Sequence, residues 1–249
     1  MNPSGGLRWH WRAWRSVALW SATNGQIADW LANVQPRSKR LLLLGPSAGW
    51  MLPTTWLLRF ESIHAIDIDP VARFLFGWRH GPALKAAGIR WHYQTGDALA
   101  ALPRLLTTQP RACVLLDNLL GQLRFHAPHW QDPVLYTRLQ LADIQRLLQG
   151  REWGSVHDVL SGPAAGLAPE QNFPAVRSSV VLPTAEPQVD VAWLAAAQPR
   201  GEWLDHLTDQ VFPTGTPVQN IAWAFSPDYW HWLQAAWVQP VEAGKSRAI

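Results

Sequence analysis

The sequence predicts a doubly wound α/β fold: a mostly parallel, seven-stranded sheet with helices on both faces and a C-terminal antiparallel hairpin. Three observations carry this. From residue 40 to about residue 160, short apolar runs alternate with amphipathic stretches, the pattern of parallel strands joined by helices. Residues 41–44 are continuously apolar, as a strand buried on both faces is, and they open into the turn Gly45-Pro46-Ser47-Ala48-Gly49. Near the C-terminus "VQNIAWAF" and "HWLQAAWV" flank "SPDYW" and pair as a hairpin.

In chain order, residues 7–20 read as an amphipathic helix. Leu7, Trp11, Trp14 and Ala18 fall at helical spacing, and Arg8, Arg12 and Arg15 line the neighbouring stripe as a solvated face over packed aromatics. A second helix starts near Asn24, with Ile27, Trp30, Leu31 and Val34 on one face, and "QPRSK" ends it. After the first strand a helix runs to about Arg59. Residues 62–69, "SIHAIDID", form the second strand, with Pro70 where a helix begins. "GIRWHYQ" and "ACVLLD" are the third and fourth strands. "DPVLYTRLQLADIQRLLQG" is a helix opened by Pro133, stopped by Gly150, and faced by Leu135, Leu139 and Ile144. "GSVHDVL" is the fifth strand. Residues 162–188 are rich in Pro, Ala and Gly and read as an irregular insertion, and a short helix is expected over residues 203–211. The chain thus divides into an N-terminal helical segment, 1–39, and one α/β domain, 40–249.

Composition narrows the function classes. The net charge is +3 over 249 residues, too weak alone to argue for nucleic acid. Cys113 is the single cysteine, so neither a disulfide framework nor a cysteine-based zinc site can be built. No apolar run reaches the length of a membrane span or a signal-peptide core. The expectation is a cytoplasmic protein that does not engage membranes. Most of the 17 tryptophans sit beside Leu and Val at helix or strand spacing and belong to the core.

Polar residues gather where the strands end. Strand one ends at Gly45 to Gly49, strand two at Asp67-Ile68-Asp69, and strand three at Gly96-Asp97-Ala98. Strand four ends at Asp117-Asn118 and strand five at His157-Asp158. Ligands of open α/β sheets bind along this edge. Small residues let the backbone approach a ligand closely, and a carboxylate about twenty residues after the turn can accept both hydroxyls of a ribose.

This set resembles the class I S-adenosylmethionine-dependent methyltransferases, over about residues 40–160 plus the terminal hairpin. "LLLLGPSAG" is similar to the first motif of that family and "AIDIDPVA" to the second. The resemblance implies S-adenosylmethionine as cofactor, held by Gly45, Pro46, Ser47, Gly49, Asp67, Ile68, Asp97 and Ala98. Asp67 would hold the ribose, and Asp97 the adenine amino group. Asp117 and Asn118 would lie beside the methyl donor where the acceptor arrives. His157 is expected as a general base, with Asp158 beside it facing Asp117. The two leading helices match the segment that often lids the cofactor, and Asp69 looks like a helix-start residue. Leu43 stands where the family commonly has an acid, and Ser47 where it has a middle glycine.

The expected activity is methyl transfer to an unidentified acceptor, with a small molecule favoured and nucleic acid left open by the basic N-terminal helix. The main rival is a degenerate methyltransferase fold kept as a binding or scaffolding protein. Two lesser rivals remain: a nucleotide-dependent oxidoreductase, and a serine hydrolase built on Ser47, Asp158 and His206. No metal site is assigned. Asp117 with Asp158 could hold magnesium, but "HAPH", residues 126–129, reads as surface loop, and His206 and Asp209 read as structural.

Overall fold

The computed structural model describes residues 6–129, 131–163, 181–183 and 204–240. β1 (Arg40–Leu44) lies inside the sheet because Leu41 to Leu44 are sealed on both faces, each no more than 1% exposed. It pairs in parallel with β2 (Ser62–Asp67) on one side and β4 (Cys113–Asp117) on the other. β3 (Arg90–Thr95) continues beyond β2, and β5 (Trp153–Pro163) beyond β4, also in parallel. The chain reverses the direction of growth at β1, which places a crevice between the carboxyl ends of β1 and β4.

Beyond β5 the sheet turns antiparallel. β9 (Tyr229–Val238) pairs with β5, and β8 (Pro217–Ser226) pairs with β9 across a two-residue turn at Pro227-Asp228. β6 (Val181–Pro183) pairs with β8, and β7 (Leu204–Asp205) pairs with β5 off the main path. The order is β3-β2-β1-β4-β5-β9-β8-β6. The sheet therefore has eight strands in sequence plus the short β7, rather than seven. The extra strand falls inside the segment predicted as irregular, where it covers the edge of β8. Gly162 and Pro163 end β5, and the remainder of that segment lies outside the described residues.

Helices cover both faces. Leu41 and Leu43 join a core with Ile27 and Leu31 of α2 (Ser21–Asn33) and Phe76 and Leu84 of α4 (Ala72–Ala86). Leu42 and Leu44 join the opposite core with Leu102 and Leu105 of α5 (Ala98–Thr108) and Ile144 and Leu148 of α6 (Pro133–Leu148). Truncating one of these leucines to alanine costs about 2–5 kcal/mol. No helix among the described residues is long and apolar enough to cross a membrane.

Four local expectations are corrected. The β1 turn does not feed a long helix. Leu52 precedes Pro53 and is disfavoured from helical backbone, so only α3 (Thr54–Leu57), a single turn, follows. α1 (Leu7–Arg15) is shorter than predicted and inverted: Leu7, Trp11 and Trp14 face solvent, while His10 and Ala13 are buried. The inner face carries Trp9 and His10, whose ring nitrogens reach Ser47 and the buried Asp69, and pairing that carboxylate turns this stripe inward. On α6, Leu135 and Leu139 are exposed, and the buried stripe is Thr137, Leu141, Ile144 and Leu148. Finally, no helix forms at residues 204–211. Asp205 accepts the Leu207 amide in a tight turn, and Leu207 takes a left-handed φ of 63°.

Candidate functional site

The carboxyl ends of β1, β2 and β4 converge as the sequence implies. Gly45 has a φ of 71°, and a Cβ there would lie 3.1 Å from the Leu119 Cβ. The turn therefore packs directly on the end of β4. Ser47 adopts a left-handed φ of 50°, unusual for a residue with a side chain. Three contacts hold it. Its amide donates to Asp67 Oδ2 at 2.7 Å, its carbonyl accepts the Tyr93 hydroxyl at 2.7 Å, and its hydroxyl accepts Trp9 Nε1 at 3.0 Å. Gly49, at φ 65°, leaves no room for a Cβ, which would sit 2.5 Å from His80 Nε2.

Asp67 ends β2 with its carboxylate mostly buried. Oδ1 accepts the Asp69 amide at 2.8 Å while Oδ2 takes Ser47. Burial raises its pKa against the lowering effect of these amides. Ile68 next to it is half-exposed. Asp69 is the helix-start residue expected, accepting the Val71 amide at 2.9 Å. Its other oxygen ties down α1, accepting the Gly6 amide at 2.6 Å and His10 Nε2 at 3.0 Å. Trp50 Nε1 donates to His10 Nδ1 at 3.1 Å, so the neutral imidazole donates from Nε2 to Asp69. Burial lowers the His10 pKa, opposed by Asp69.

Asp97 caps α5: its Oδ1 accepts the Leu99 and Ala100 amides at 2.9 and 3.0 Å, and Ala98 behind it is buried.

Asp117 differs from its neighbours. It is 9% exposed, and no hydrogen bond from the described residues reaches its carboxyl. Burial, then the charge of Asp67, pushes its pKa up to about 7. Asn118 follows in left-handed backbone at φ 50°, a conformation that asparagine tolerates. Its Oδ1 accepts the Asp158 amide at 3.2 Å.

His157 is not brought into this group. It is fully buried on the α6 side of the sheet, its ring tilted against Phe212. Its Nε2 donates to the Thr208 carbonyl at 3.3 Å and its Nδ1 meets Ser155 Oγ at 2.9 Å. Burial lowers its pKa to about 4. Asp158, the next residue, points to the other face, where His231 Nδ1 lies 2.9 Å from its Oδ1. Burial pushes the Asp158 pKa up, but the charge and hydrogen bond of His231, with the charge of His206 and a hydrogen bond from Asn118, together hold it below the usual value.

Sequence reasoning missed several residues here. Trp9, His10 and Tyr93 clamp the turn, yet nothing in their local sequence marks them, because each acts across the fold. His231 was hidden inside a strand.

No protein-family model matches the chain, and no curated protein matches it. Solved structures do. It is similar to the glycopeptide N-methyltransferase MtfA complexed with S-adenosylmethionine at 13% identity, over 86% of this chain and 93% of that one, with a TM-score of 0.42. It is similar to magnesium protoporphyrin IX methyltransferase from Synechocystis PCC 6803 with bound S-adenosylhomocysteine at 14% identity, over 90% and 81%, with a TM-score of 0.35. A spermidine synthase in complex with the transition-state analogue AdoDATO matches at 12% identity, over 88% and 60%, with a TM-score of 0.42. The strand order, with its parallel half, its terminal antiparallel hairpin and its switch point at β1, makes this a class I methyltransferase-like fold.

Proposed function

We propose that the chain is an S-adenosylmethionine-dependent methyltransferase in which Asp117 takes the proton from the acceptor. The observation that carries this reading is the Asp117 carboxyl, 9% exposed at the switch point, with no protein donor to it among the described residues and burial raising its pKa. A carboxyl with no protein donor keeps its oxygens free to accept from a ligand. With a pKa of about 7, both its forms are populated at neutral pH, which suits proton transfer.

The residues present fit the cofactor. Each Asp67 oxygen accepts one amide and keeps a second lone pair for a ribose hydroxyl. Asp97 caps α5 through Oδ1, leaving Oδ2 for the adenine amino group. Ile68, half-exposed next to Asp67, offers apolar surface, and in the turn Gly45 packs against the end of β4. S-adenosylmethionine supplies an electrophilic methyl group on a sulfonium. Asp117 would receive the proton of an oxygen or nitrogen acceptor as that atom bonds to the methyl carbon and the carbon–sulfur bond breaks, releasing the neutral sulfide, and most of the rate would come from holding the acceptor in line. A buried carboxyl suits a small acceptor that enters whole.

A second reading, a non-catalytic binding protein on the same fold, is favoured by α1. It lies across the turn through Trp9 to Ser47 and through Gly6 and His10 to Asp69. Calorimetric titration with S-adenosylmethionine and S-adenosylhomocysteine separates the two. The wild type is expected to bind both, and Asp97→Ala to bind more weakly with its fold unchanged. A wild type that binds neither leaves only the second reading.

A further inference from the structure

We propose that Asp158, His206 and His231 form a three-ligand site for a divalent transition-metal ion of the zinc class. One potential ligand atom from each residue lies within 4.8 Å of the others. Asp158 and His206 are at most 1% exposed, and the His231 side chain is 13% exposed.

The backbone is shaped to bring them together. β5 and β9 slip register between Asp158 and Leu160, so Asp158 pairs with Leu233 while Ser161 pairs with His231. Three residues apart in a regular strand, Asp158 and Ser161 would face opposite ways. The bulge puts both on the face that His231 occupies. Gly121 closes the other side: a Cβ there would lie 2.7 Å from the Asp158 Cβ, so only glycine admits the carboxylate.

The donors are set for metal. Gly121 O accepts from His206 Nδ1 at 2.6 Å, which fixes the proton on that nitrogen and leaves the Nε2 lone pair facing inward, now met by Ser161 Oγ at 2.9 Å. A carbonyl behind a ligating imidazole is the usual orienting partner in metal sites. His231 Nδ1 and Asp158 Oδ1 share a hydrogen bond at 2.9 Å, and an ion in its place needs them to part only to about 3.3 Å, the separation of tetrahedral ligands. Two imidazoles and one carboxylate select zinc or a related ion over magnesium or calcium, which prefer oxygen donors throughout. Three protein ligands leave a position for water or a substrate atom, bordered by Ser161 Oγ and by Tyr229 Oη, itself 3.2 Å from Ser161.

The test uses the full chain, free of any affinity tag, stripped with chelator and titrated with zinc chloride in the absence of S-adenosylmethionine. The wild type is expected to retain about one zinc per chain after dialysis. With cobalt(II) it should show the visible d–d bands of a bound ion, and its melting temperature should rise with either metal. His231→Gln, at the least buried ligand, should keep its fold by circular dichroism, lose the cobalt bands and bind zinc at least tenfold more weakly. His126→Gln with His129→Gln should change nothing. A wild type that retains no zinc, or a His231→Gln variant that retains it equally, overturns the site. The readout needs no methyl donor, so either result leaves the methyltransferase reading where it stands.

Discussion

Asp67 Oδ2 accepts the backbone amide of Ser47 over 2.7 Å, across 20 residues of chain. The carboxylate placed to meet a ribose is thus also the strut that holds the β1 turn in its left-handed conformation, with Oδ1 holding Asp69 in the same way. Binding and folding are coupled at this residue. Asp67→Ala is expected to lose about 2 kcal/mol of stability, since two hydrogen bonds to a charged acceptor disappear. Urea denaturation of the variant checks it. Unchanged stability would mean that the carboxylate is free for ligand alone.

The turn glycines separate strain from space. Gly49 and Gly88 both have positive φ, 65° and 71°, but a Cβ meets His80 at Gly49 and nothing within 4 Å at Gly88. Gly88→Ala should therefore cost only backbone strain, about 1 kcal/mol. Gly49→Ala should cost about 2 kcal/mol more, because buried His80, held by Thr54 at 2.8 Å, must move. Thermal melts of the two variants side by side measure the difference. Equal losses would show that His80 yields freely.

The parallel half of the sheet was legible in the sequence because local signals agreed there. Residues 41–44 are apolar on both faces, Asp132-Pro133 caps and starts α6, and the acids of β2 and β4 fall at strand ends. The terminal hairpin was legible for the same reason. α1 misled because its Trp stripe has helical period but the tertiary demand of Asp69 for a partner turned His10 inward. Asp97, which the resemblance implies for the adenine amino group, also caps α5 through one oxygen and has the other to spare, a double use that the short "GDAL" does not reveal. The His157-Asp158 pair read as one unit, yet strand alternation sends the two side chains to opposite faces. The Asp158 cluster depends on a β-bulge and on His231, 73 residues away, and neither leaves a local mark.

Ser47 lies in Gly-x-Ser-x-Gly but lacks the surroundings of a nucleophile. Its hydroxyl accepts from Trp9 Nε1, and no histidine nitrogen among the described residues bonds to it. His206, the imidazole that would complete a triad, is committed to Ser161 and Gly121 instead. A fluorophosphonate probe should leave Ser47 unlabelled at neutral pH, read by peptide mass spectrometry. Labelling that disappears in Ser47→Ala would restore the hydrolase.

Asp117 makes a prediction in pH. Its folded pKa is about 7, above the ordinary 3.8, so between those values the native state holds a proton that the unfolded chain has released. Stability contributed by this group is therefore full below about pH 4 and is lost as pH rises towards 7. The loss at pH 8 reaches at most about 4 kcal/mol. Asparagine has the same shape and no charge, so Asp117→Asn should escape it. The variant is expected to match the wild type near pH 4 and to exceed it at pH 8, by about 1–4 kcal/mol in urea denaturation. A stability difference that does not change with pH would mean that Asp117 ionises as an ordinary exposed carboxylate, and the proton-accepting role assigned to it would fail with that result.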